Sequence, residues 1–191
     1  TVLSLAVALP LRAATLDGMK IHSTSTGAGT TTVVLVHGWT CDDSSWAANV
    51  PELARKYRVV TLDLPGHGKS DAPKDGKITM DRFTRAVEAV RAEQKADKVV
   101  VVGHSMGTPV VHRYAQLYPE HVRGLVAVDG LLLEPPKAGE NRTPFMNPAT
   151  LTSPDGLKTR ETMIKGMFTP KTPADVQTKV LKMMLAAPAA T

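Results

Sequence analysis

Four consecutive valines, Val99 to Val102, run straight into Gly103-His104-Ser105-Met106-Gly107. An unbroken β-branched run is a strand buried on both faces, which requires helices on both sides of a mostly parallel sheet. The pentapeptide that follows has the form G-x-S-x-G. Its glycines stand two before and two after the serine, where a strand-to-helix turn is too tight for side chains. The pattern predicts Ser105 in a strained conformation at the carboxyl end of a central strand, its hydroxyl exposed. The helix that follows, read from Ser105 to Leu117, brings partial positive charge and backbone N–H groups to the same point. Alone, G-x-S-x-G is a weak signal; between a four-valine strand and a helix it is a strong one.

The rest of the chain repeats the α/β rhythm. Asp17-Gly18 separates two β-prone stretches, Ala13 to Leu16 and Met19 to Thr24, as in a hairpin. Ser23 to Thr31 reads as a Ser/Thr/Gly loop. Buried strands are predicted at Thr32 to Val36, Arg58 to Leu62 and Lys98 to Val102, and a further strand at Leu125 to Val128. Helices are predicted at Ser45 to Arg55 and Thr79 to Lys95, the second with Met80, Phe83, Val87 and Val90 at helical spacing. Such alternation implies right-handed βαβ crossovers.

Beyond Leu131 the pattern changes. A Pro-rich stretch to Pro154 precedes two helix starts, Ser153-Pro154 and Thr172-Pro173. Met163, Ile164, Met167 and Phe168 form an apolar stripe on the first helix, and Val176, Val180, Met183 and Met184 one on the second. Core packing is the plain reading of both; a Met-rich lid over a pocket is the functional one. No later strand covers Leu125 to Val128, which leaves it near an open edge.

Composition sets the outer limits. With 191 residues, 42% hydrophobic and 21% charged, the chain has enough apolar surface for one domain and is not a disordered or coiled-coil sequence. The single cysteine, Cys41, excludes an internal disulfide and a Cys-based zinc cluster. Eight basic and four acidic residues lie from Lys137 onward, so most of the +5 net charge sits there. They are interspersed and lack interleaved aromatics, which reads as a solvated surface and not a nucleic-acid patch. Val2 to Leu11 is too short to span a bilayer. Its length suits the apolar part of an export signal ending near Ala14, hence a secreted or periplasmic protein; failing that, a cytoplasmic one. No stable membrane anchor is expected, and the oligomeric state is not legible.

A second element supports Ser105. His37-Gly38-Trp39 follows directly on the Thr32 to Val36 strand. Ligands of parallel sheets bind beyond the carboxyl ends of the strands, which places this turn beside the serine. The backbone N–H groups of Trp39 and Met106 then converge on one carbonyl oxygen.

The segments Val34-Leu35-Val36-His37-Gly38-Trp39, Asp63-Leu64-Pro65-Gly66-His67-Gly68-Lys69-Ser70 and Gly103-His104-Ser105-Met106-Gly107, in this order and spacing, resemble the α/β-hydrolase superfamily. The likeness is to small bacterial serine esterases with an H-G-W turn and covers Leu16 to Gly130. It implies an eight-stranded, mostly parallel sheet flanked by helices, with a helical cap after the sixth strand. It further implies Ser105 as nucleophile, Trp39 and Met106 as oxyanion donors, a small-molecule ester as substrate, and no metal or organic cofactor. Asp63 is read as structural. On this basis residues 1–14 are an export-signal remnant, 15–130 the core and 131–191 a helical cap, with the sheet truncated after its sixth strand.

The catalytic base is missing from the pattern. The superfamily order is nucleophile, acid, histidine, yet the histidines are His22, His37, His67, His104, His112 and His121. His104 is directed away from the serine hydroxyl, His37 braces the oxyanion turn, and His67 sits on a mobile-looking glycine loop from which an approach to the site mouth is the minor reading; all six are read as surface or structural groups. Asp129, ending the last strand, is read either as a candidate acid or as a polar residue capping the strand end. A serine without a base is a poor nucleophile. The chain is therefore read as part of a serine hydrolase, inactive alone, with a non-catalytic binding protein and a membrane-surface protein as the other classes.

Overall fold

The computed structural model describes residues 14–130, 150–151 and 153–188. The expected export signal lies outside these except for Ala14, and so does most of the Pro-rich stretch. Strands β1 (Ala14–Leu16) and β2 (Met19–Ile21) form the predicted hairpin. Its two turn residues have positive φ, Asp17 at 51° and Gly18 at 77°, the pairing that matches strand twist.

The main sheet has the order β3-β5-β4-β6-β7. Strands β4 (Thr32–Val36), β5 (Arg58–Leu62), β6 (Val99–His104) and β7 (Val122–Val128) are mutually parallel. Strand β3 (Ser23–Thr26) joins β5 antiparallel, where a loop was expected. An edge strand needs no apolar face, and the Thr24 hydroxyl instead meets that of Thr61 at 2.7 Å. Strand β7 starts three residues earlier than predicted and forms the other edge among the described residues. Val126 and Val128 are exposed on it.

Both faces of the sheet are covered, as the valine runs require. On one face Val34, Val60 and Val101 pack with Phe83, Val87 and Val90 of helix α2 (Met80–Glu93), and with Val110, Val111 and Tyr114 of α3 (Gly107–Leu117). Thr79 caps α2 by accepting from the Arg82 amide. Met80, expected on the apolar stripe, lies at the first turn and is exposed.

On the other face Val33, Leu35 and Val59 pack with Trp46, Val50 and Leu53. The single helix predicted at Ser45 to Arg55 is instead a 3₁₀ turn, Asp43–Trp46, and a one-turn helix α1 (Val50–Leu53). Asp42 caps the first piece through the Ser44 amide, and Pro51 fits only the first turn of the second.

Helices α4 (Gly156–Gly166) and α5 (Ala174–Ala186) lie against the turn after β4. They begin after Asp155 and Pro173, one or two residues later than the Ser-Pro and Thr-Pro signals suggest; Pro173 stays extended, with ψ 143°. Ile164 and Met184 bury with Cys41, and Trp39, Phe168, Val180 and Met183 pack around them. Met167 and Val176, expected on the stripes, are exposed. Among the described residues no helix is long and apolar enough to cross a membrane.

Candidate active site

Parallel register delivers four loops to one end of the sheet. Val36 pairs with Leu62 and Gly103, and Gly103 with Ala127, so His37, Asp63, Ser105 and Asp129 all emerge together. Ser105 is exposed and has φ 50°, the strained left-handed conformation that the pentapeptide predicts. Its amide donates to the Val128 carbonyl at 3.0 Å, and its carbonyl accepts from the Thr108 amide at 2.9 Å. The Thr108 hydroxyl closes the turn on the Gly103 carbonyl, 2.9 Å away. Sequence reasoning missed Thr108; a hydroxyl residue three after the serine, in the first helical turn, was the available signal.

The glycine rule holds for a visible reason. A Cβ on Gly103 would overlap the Gly107 carbonyl oxygen, and one on Gly107 would lie 2.5 Å from that of Val36. The second contact means that helix α3 starts directly against the end of β4. Gly38 is correspondingly close: a Cβ there would stand 3.2 Å from Cβ of Ser105. The structure thus brings the H-G-W turn and the serine together. Met106 caps α3 with helical dihedrals and is half-buried against the core. Trp39 is half-buried against Cys41, Ile164 and Met184.

The histidines have other tasks. His37 is fully buried; its Nδ1 donates to the Gly38 carbonyl (2.8 Å) and its Nε2 accepts from the Leu64 amide (3.0 Å). Burial, and secondarily the neighbouring His67, pushes its pKa down to about 3, so the ring is a neutral brace for the oxyanion turn. His67 does not approach the site mouth. It is buried between the His37 ring, 5.1 Å away, and Phe83, 5.7 Å away, with its pKa lowered by burial. The glycines around it set a tight turn, and the aromatic contacts hold that turn in the core. His104 stands edge-on to Trp46, His121 lies 3.2 Å from Glu88, and His112 is half-buried on α3. Among the described residues no imidazole hydrogen-bonds the Ser105 hydroxyl. Asp129 is exposed with φ 47°, directly after the carbonyl that holds Ser105.

Asp63 is structural as read. It is fully buried and accepts from the amides of Asp43 (2.7 Å) and Lys69 (2.8 Å). Burial raises its pKa. His22, Asp43 and Asp63 bring one donor atom each within 4.8 Å. The two Asp63 oxygens already receive backbone N–H groups, so Asp63 anchors its loops as it stands, while His22 Nε2 lies 3.6 Å from Asp43 with no hydrogen-bond partner among the described residues. Beside it lies a cavity of about 550 Å³ that begins one residue past Trp39, with Thr40, Asp42 and Lys69 on one wall and Met183, Ala186 and Ala187 on the other.

Comparison with known proteins agrees with the fold. Residues 31–155 match the alpha/beta hydrolase fold family. The chain is 36% identical over 115 residues to the dihydrolipoyllysine-residue acetyltransferase component of an acetoin cleaving system from Cupriavidus necator, covering 60% of this chain and 30% of that protein. It is 36% identical over 116 residues to a 2-hydroxy-6-oxononadienedioate/2-hydroxy-6-oxononatrienedioate hydrolase from Paraburkholderia phymatum, covering 59% and 40%. A thermophilic esterase from Thermogutta terrifontis superposes with a TM-score of 0.78 at 25% identity, covering 93% of this chain and 66% of that one. The chain spans 26–40% of the length of these and similar curated relatives. By sheet order, turn geometry and sequence, the chain belongs to the α/β-hydrolase fold family.

Proposed function

We propose that the protein hydrolyses small carboxylic esters through an acyl-enzyme on Ser105. The observation that carries this reading is the strained, exposed Ser105 with the Gly38 turn packed against its Cβ. The similar proteins named as hydrolases and as an esterase support the reaction class. Ser105 Oγ attacks the ester carbonyl while a general base takes the hydroxyl proton. The resulting oxyanion accepts from the Trp39 and Met106 amides, each such donor being worth about 2.7–4 kcal/mol of barrier. Collapse expels the alcohol, which takes a proton, and water then releases the acid from Ser105. Neither a metal nor an organic cofactor enters these steps.

All six histidines are described and none hydrogen-bonds the Ser105 hydroxyl, so this reading assigns the base to none of them. Asp129 is the candidate acid that would orient it. Residues 131–191 act as a helical cap, α4 and α5 roofing the Trp39 turn, and residues 1–14 are the remnant of an export signal to the periplasm or medium. Pocket walls decide among ester, lactone and thioester substrates.

The test is a fluorophosphonate probe and a p-nitrophenyl ester applied to the whole protein and to Ser105→Ala. Labelling and turnover that both vanish in the variant are expected. A Ser105 hydroxyl without an imidazole partner among the described residues favours one second reading, a binding protein that holds an ester-like ligand without turning it over; ligand binding with no labelling would establish that instead.

A further inference from the structure

Parallel strands start side by side, so the charge on their first residues collects at one end of the sheet. Here that end is basic. The register sets Thr32 beside Arg58 and Val99, and Val99 beside Val122. Arg58, Lys98 and Arg123 therefore stand at the amino ends of three strands, and Lys95 joins them from the turn after α2. All four line a cavity of about 360 Å³ at the end of the sheet opposite Ser105, with one carboxylate, Asp97.

The two cavity arginines, Arg58 and Arg123, differ from most of the other described arginines. Arg82, Arg85, Arg91 and Arg113 each meet a carboxylate: Asp75, Asp17, Glu88 and Asp81. Among the described residues none of the four cavity cations does. Neutral oxygens aim the guanidiniums instead. Arg58 donates to the Thr32 hydroxyl (3.1 Å) and the Gln94 carbonyl (2.9 Å), and Arg123 to the Thr31 hydroxyl (3.5 Å). Such acceptors fix direction without cancelling charge. The facing wall is also fixed in advance, because Gly29 approaches the Lys56 carbonyl so closely that a Cβ would overlap it. A preset wall lowers the ordering cost of binding.

We propose that this cavity binds a small phosphate-bearing anion, held by Arg58, Lys95, Lys98 and Arg123. Guanidinium forks match phosphate oxygens in pairs. The volume sits at the low end of small-ligand sites, and four positive charges against one negative suit a multivalent oxyanion. The site shares no residue with the hydrolase reading, so Ser105→Ala protein binds equally and either proposal can fail alone.

The experiment titrates the purified protein with inorganic pyrophosphate at low ionic strength, by calorimetry and thermal denaturation. One saturable site per chain and a midpoint raised by about 2–4 °C are expected, both weakened near 0.3 M salt. K98E/R123E is expected to bind at least about tenfold more weakly. The neutral K98Q/R123Q, at two exposed side chains, serves if charge reversal unfolds the chain. A second arm sediments the protein with phosphatidylcholine vesicles containing phosphatidic acid. Sedimentation that depends on Lys98 and Arg123 identifies a lipid headgroup as the source, and pyrophosphate binding without sedimentation identifies a free phosphate. No saturable binding in either arm, or equal binding by wild type and K98Q/R123Q, overturns the proposal.

Discussion

The amide of Ser105 donates to the carbonyl of Val128 across 3.0 Å, carrying the β6–β7 ladder one residue past the end of β6. Three elements thereby hold the strained turn: β7 through Val128, α3 through Thr108, and the end of β4 through Gly38. A non-glycine residue in the left-handed region costs about 1–2 kcal/mol, and these contacts sustain it.

Replacing Ser105 by glycine removes that strain and with it the hydroxyl. Ser105→Gly is expected to be up to about 1 kcal/mol more stable than wild type in urea denaturation, and to lose fluorophosphonate labelling. A less stable variant would show that the serine side chain itself helps hold the turn.

Gly107 and Gly166 form a matched pair for testing close approach. At Gly107 a Cβ meets the carbonyl oxygens of Val36 at 2.5 Å and His37 at 2.7 Å, both of them backbone. Gly107→Ala should cost about 1–3 kcal/mol by overpacking. Gly166, at the end of α4, has open space around it, and Gly166→Ala should gain about 0.5 kcal/mol. Equal effects on the two denaturation midpoints would contradict the geometry.

Acid should destabilise the fold through His37. Its folded pKa is about 3 against 6.5 for the free side chain, so as pH falls the unfolded chain takes up protons first. The associated stability is complete above about pH 6.5 and is lost progressively toward pH 3. Between pH 7 and 5 the loss is about 2 kcal/mol, and His67, lowered in the same direction, adds to it. His37→Gln should flatten this slope while lowering stability at pH 7. A wild-type urea midpoint unchanged from pH 7 to 5 would rule the account out.

Asp63→Asn tests the anchor of the loop after β5. The carboxylate accepts two backbone amides, and an amide side chain offers one acceptor oxygen and turns a donor toward the other N–H. The expected loss is about 1–3 kcal/mol, read by chemical denaturation.

Local pattern carried the features that depend on neighbouring residues alone. Valine runs marked the strands of a sheet buried on both faces, because an all-apolar strand is stable only when covered twice. Glycine at 103 and 107 marked the serine turn, because two adjacent carbonyls fill the space that a Cβ would need. Three-and-four spacing marked α2. What remained hidden depends on partners distant in the chain. Ser23–Thr26 carries no apolar alternation and becomes a strand only because β5 offers it a ladder. His67 looks mobile among glycines until Phe83 and His37 close around it. Arg58, Lys98 and Arg123 are scattered over 66 positions of sequence, and parallel pairing alone sets them around one cavity. The sequence by itself determined which segments fold and where the serine turn forms, since steric fit and hydrophobic period act locally. Only the tertiary structure decided which charges and rings meet, since strand order and register join residues that no local pattern connects.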